Sequence, residues 1–105
     1  MRAISNKLDI RKLKMHKINI TDEEGAEIFK ALRYLVNLKL LVVSDNSLGE
    51  QSAKALSHSI VYLKRLRVLN IGNNRMNATQ ILNIIESSTI EGMKQLNIAG
   101  MSLSD

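Results

Sequence analysis

The stretch Leu38-Lys39-Leu40-Leu41-Val42-Val43-Ser44-Asp45-Asn46-Ser47-Leu48 carries the pattern that decides the fold. Leu41 and Val43 lie two apart, as they must to share one face of a strand, and Asn46 and Leu48 follow where a loop should begin. The spacing of Leu38, Leu41, Val43, Asn46 and Leu48 recurs three more times. It places Ile10, Leu13, Met15, Ile18 and Ile20 in a first copy, Leu66, Leu69, Ile71, Asn74 and Met76 in a third, and Met93, Leu96, Ile98, Met101 and Leu103 in a fourth. The copies start near 10, 38, 66 and 93, a period of 28, 28 and 27 residues. A fixed period of this length marks stacked structural units.

Between the copies the period changes. Gly25, Ile28, Leu32 and Leu35, and again Ala53, Leu56, Ile60 and Leu63, are spaced 3, 4 and 3 apart, which draws one apolar stripe along a helix. The third connector keeps Ile81, Ile84 and Ile85 but has Ser88 where the stripe should continue. Thr21 or Asp22 ahead of Glu23-Glu24, and Asn77 or Thr79 in the third connector, mark helix starts, the acidic pair favouring the positive end of the helix dipole. The unit is strand, loop, helix, return. Counting back from the first copy, Ile4 takes the place that Leu32 and Ile60 take later, so residues 1–9 read as the tail of a preceding helix or a rudimentary cap.

This pattern resembles the leucine-rich repeat, specifically its ribonuclease-inhibitor-like subclass of 28- or 29-residue units, across essentially the whole chain. The resemblance implies an α/β solenoid: a right-handed superhelix with a curved parallel sheet on the concave side and helices on the convex side. It also implies that Asn46 and Asn74, which match the asparagine of the family motif, hydrogen-bond neighbouring turns where strands give way to loops. Ile18 and Met101 replace that asparagine in the first and last copies. No polar cap is recognisable at either end, so the chain reads as residues 1–105 of one repeat domain, either a stretch of a longer solenoid or a small protein whose open ends stack on another copy or a partner. In the family the architecture serves inhibitors, innate-immune nucleotide-binding receptors, effectors delivered into host cells and the Ran GTPase-activating protein.

Composition removes several functions. The 105 residues are 45% hydrophobic and 3% aromatic, with no Cys, Pro or Trp and a formal charge of +5. Without cysteine there is no disulfide, thiolate zinc site or cysteine nucleophile. The longest aliphatic run, Leu40 to Val43, is far short of the ~20 residues that span a bilayer, and no apolar segment follows Met1-Arg2 as a secretory signal requires. A cytoplasmic protein is expected. All the net charge falls in residues 1–20, where six cations face one anion, leaving nine of each sign elsewhere.

Candidate site residues follow from which strand positions face away from the helices. Arg11, Lys39, Arg67 and Lys94 each follow the first apolar position of a copy, so on strands about 4.8 Å apart four cations form a column roughly 15 Å long. Leu40, Val42 and Val68 make an outward aliphatic cluster, the kind of patch that marks protein contacts, with Lys14 and Asn70 beside them. His16, Ser44 and Asp45 are also expected outward. Nucleic acid is disfavoured, because Phe29, Tyr34 and Tyr62 fall in the helical connectors and leave the basic first strand without stacking rings. His16 and His58 read as surface histidines, no Gly-rich phosphate loop occurs, and no catalytic residue, metal or cofactor is assigned. The expected function is therefore a non-catalytic module that binds an acidic protein surface through the sheet and loops; a GTPase activator of the Ran type and an end-to-end assembly subunit are the alternatives.

Overall fold

The computed structural model describes residues 9–88 and 92–100. The expected helix tail around Ile4, the motif residues Met101 and Leu103 and the chain end at Asp105 lie outside the described residues. The elements run β1 (Lys12–Lys14), α1 (Asp22–Ala31) with a 3-10 turn at Leu32–Tyr34, β2 (Leu40–Val42), α2 (Glu50–Ile60), β3 (Val68–Asn70), α3 (Ala78–Ser87) and β4 (Gln95–Asn97). The strands form one parallel sheet in the order β1-β2-β3-β4. Leu13, Leu41, Leu69 and Leu96 stand in register across it.

Each element has a local cause. Thr21 caps α1 by accepting from the Glu24 N–H at 3.2 Å while the Glu24 carboxylate accepts from the Thr21 N–H at 3.0 Å. Asn77 and Gln80 form the same reciprocal pair at the start of α3. The loop after each strand reverses through a left-handed residue at a constant position, Lys17, Asp45, Asn73 and Gly100, with φ of 53°, 58°, 55° and 75°. Asp, Asn and Gly adopt this region at low cost.

The core lies between sheet and helices. Leu38, Leu41, Val43, Leu48, Leu56, Ile60 and Ile71 are fully buried, and the second stripe, Ala53 to Leu63, is buried throughout. In α1 the buried face is rotated from the expected stripe: Ala26 and Phe29 are buried while Ile28 is half-buried. Among the described residues every buried side-chain nitrogen and oxygen has a partner.

This architecture corrects the expected leucine-rich-repeat solenoid. The described residues form a compact α/β domain of four parallel strands and three helices, with a radius of gyration of 13.0 Å, the value of about 13 Å that a globule of 100 residues has. The 28-residue period records how far apart in sequence adjacent strands lie; it does not prescribe an extended superhelix. Two motif positions also depart from the expected inward pattern: Ile10 is 38% and Ile18 57% exposed, because among the described residues β1 has a strand neighbour on one side only.

Candidate functional site

Strand alternation turns Lys12, Lys14, Leu40, Val42, Val68, Asn70, Gln95 and Asn97 to the face of the sheet away from the helices. The register sets them in two rows: Lys12, Leu40, Val68, Gln95, and Lys14, Val42, Asn70, Asn97. Leu40 and Val68 are direct neighbours, Val42 lies two residues along from Leu40, and all three are half-buried. They are thus one patch, in an open depression of about 810 Å³ that Lys14 and Asn70 also line. Lys12 and Lys14, both exposed, border it.

The four cations of the basic column are joined through their backbones. The Lys39 N–H donates to the Arg11 carbonyl at 2.8 Å, Arg67 N–H to the Lys39 carbonyl at 2.8 Å, and Lys94 N–H to the Arg67 carbonyl at 2.7 Å. Their side chains differ. Lys39 and Lys94 are exposed, whereas the Arg11 guanidinium lies 3.5 Å from the Asp9 carboxylate. Arg67 folds back to donate to the Leu66 carbonyl at 3.1 Å and packs against Gly92. The column therefore offers two exposed lysines flanking a self-satisfied arginine.

Asn46 and Asn74 tie adjacent loops together. The buried Asn74 side chain accepts from the backbone N–H of Asn46 and Leu48 and donates to the carbonyls of Val43, Ile71 and Gly72. Asn46 accepts from Ile18 and Ile20 N–H and donates to Met15, Val43 and Ser44 carbonyls. These amides set the height of the loops beside the sheet and are structural.

His16, Ser44 and Asp45 meet at the end of the same face, but in an unreactive arrangement. One nitrogen of His16, Nδ1, faces both Ser44 Oγ at 2.8 Å and Asp45 Oδ2 at 3.3 Å. A nucleophile–base–carboxylate relay needs opposite ring nitrogens for the two partners. Ser44, expected outward, is only 4% exposed, because the strand ends at Val42 and the loop turns its side chain in toward His16.

Two features escaped the sequence reading. Asp22 accepts from the N–H groups of Gly49, Gln51 and Ser52 at 2.7, 3.0 and 2.8 Å, capping α2 from the neighbouring helix. Arg33 lies over the rings of Tyr34 and Tyr62, 5.8 and 4.9 Å from their centroids. The spacing of 28 between Asp22 and Glu50, and between Tyr34 and Tyr62, was the available signal, since that is the distance between neighbours across units. Among the described residues no group of three or more His, Asp and Glu is placed to hold a metal ion, and no helix is long and apolar enough to cross a membrane.

Fold and site together define a small parallel α/β domain with an open, cation-bordered sheet face. No protein-family model matches the chain, and no curated protein matches it in sequence. A solved structure described as "Leiomodin-1 Actin-Binding Site 2 (ABS2)" superposes with a TM-score of 0.79 over 95% of this chain, at 18% identity, and the match spans 59% of that structure's chain. At this identity the likeness is one of fold. It joins the compact topology in replacing the leucine-rich-repeat solenoid with a domain similar to that fragment.

Proposed function

We propose that this domain is a non-catalytic protein-binding module, that its sheet face is the contact surface, and that the partner presents an acidic rim around an apolar centre. The observation that carries this is the contiguous patch of Leu40, Val42 and Val68 with Lys12, Lys14 and Lys39 around it. Aliphatic side chains at the centre of a contact supply affinity, while rim cations set approach and orientation. The neighbour's description as an actin-binding site makes actin the first partner to assay.

The test is binding of the domain to monomeric actin by fluorescence anisotropy and to filaments by cosedimentation. The double variant Leu40→Ser/Val68→Ser is expected to weaken binding about tenfold or more, since truncating a central contact residue costs upwards of about 1.4 kcal/mol. Its far-UV circular dichroism should be unchanged, because neither side chain belongs to the core. Equal binding by wild type and variant sinks the sheet-face assignment. If neither form of actin binds, actin is removed as the partner.

A second reading, association between copies through the ends of the sheet, draws on Leu96 and Ile18, which are 40% and 57% exposed on β4 and just after β1. Native mass spectrometry across concentrations separates it: a lone monomer at every concentration removes it.

A further inference from the structure

We propose that the groove between α1 and α2, on the helical side of the domain, binds an acidic polypeptide segment. The groove has a volume of about 540 Å³; Ala26 and Ala55 lie along it, and it is walled by Lys30, Arg33, Lys54, His58 and Tyr62, with no Asp or Glu among its lining residues. Lys30 is partly spent on Glu27, 3.1 Å away. Among the described residues, Lys54 and His58 make no ion pair, and they lie four apart on α2, one above the other on the same wall.

Arg33 gives the groove its specificity. Its guanidinium lies over the rings of both Tyr34 and Tyr62 and donates one N–H to the Tyr62 hydroxyl at 3.2 Å. A guanidinium has five donors in a fixed fork, so a fork already oriented can meet a carboxylate without first losing rotamer freedom. The chain has three aromatic residues, and two of them, Tyr34 at 59% and Tyr62 at 45% exposure, stand here in the open. Exposed Tyr and Arg in one cluster is the composition of a contact hot spot, not of a solvated helix face.

Charge complementarity selects the occupant. The acidic first turn of α1, with Asp22, Glu23 and Glu24, stands at the far end of that helix from Arg33. An extended ligand with its carboxylates toward Arg33 is therefore favoured in one direction. A volume of about 540 Å³ with basic side chains on both helices suits a peptide segment rather than a lone anion. None of these residues belongs to the sheet face, so the two proposals fail separately.

The experiment is a titration of the 15N-labelled domain with an oligoglutamate peptide, following amide shifts. Saturable shifts concentrated at Arg33, Lys54, His58 and Tyr62 are expected, with affinity falling as salt rises. Arg33→Ala and Lys54→Glu should each weaken binding about tenfold. Lys54→Gln, milder and less able to disturb the fold, should weaken it several-fold, and Lys39→Glu should leave it unchanged. Shifts confined to Lys12, Lys14 and Lys39, absence of binding, or wild-type affinity in both Arg33→Ala and Lys54→Gln overturns the proposal. So does inorganic phosphate that moves the same amides with equal affinity, which marks a simple anion site.

Discussion

Asp22 occupies the first turn of α1 but does its main work for α2. The α2 N-cap is Gly49, which has no side chain to satisfy the exposed N–H groups of that helix. The Asp22 carboxylate supplies what is missing through three backbone hydrogen bonds. Partial burial pushes its carboxyl upward, yet the N–H groups of Ser52, Gly49 and Gln51 outweigh that and hold it below the ordinary value of 3.8. A carboxyl depressed in the folded state stabilises it fully above the unfolded pKa, and that contribution is lost as pH falls through the folded pKa. Asp22→Ala should thus cost about 1–2 kcal/mol at pH 7, the usual cost of removing a helix cap. In urea denaturation the gap between wild type and variant should narrow below about pH 4. A gap that stays constant from pH 7 to pH 3 would show that the charge contributes nothing.

Packing of α1 on α2 depends on Gly25. A methyl group there would meet the Leu48 side chain and, at 2.5 Å, the Ser52 hydroxyl. Both neighbours are fully buried and have no room to retreat. Alanine gains roughly 1 kcal/mol of helix propensity, but overpacking a tight core costs about 1–3 kcal/mol, so Gly25→Ala should be net destabilising. Thermal unfolding checks it: a raised Tm would mean that the helices separate freely. The inward place of Gly25 on its helical stripe was legible in the sequence, as were the strand positions Leu13, Leu41, Leu69 and Leu96 and the stripe of α2. Each reflects a local period, and a local period is written into consecutive residues. Phe29 was missed because the roll of α1 depends on the close approach of its own Gly25 to Leu48 and Ser52, which no single helix's pattern contains. The compact shape was misread for the same reason: the period counts units and says nothing of how far they extend. At the candidate site, Leu40, Val42 and Val68 could be placed on one face from alternation alone. The inward turn of Arg67 could not, because it depends on carbonyls and on Gly92 reached only after folding.

Across the whole molecule, stability should fall from the middle of the sheet toward its edges. The N–H groups of Met15, Val43 and Ile71 occupy the same position in successive units and donate to Val42, Asn70 and Asn97 carbonyls at 2.7, 2.9 and 3.0 Å. Hydrogen-bond length would make Met15 the best protected. Burial argues the reverse: Val43 and Ile71 are fully buried, whereas Met15 is half-buried on an edge unit. Opening an edge exposes little apolar surface, so it costs less than opening the centre. Amide hydrogen exchange should therefore find Val43 slowest. Ile71 should follow, since its acceptor lies on β4, whose three residues are all exposed, and Met15 should exchange fastest. Each tenfold step in protection corresponds to about 1.4 kcal/mol. Equal protection at the three positions would mean instead that the sheet opens only as one unit, and that a partner on its face would stabilise edge and centre alike.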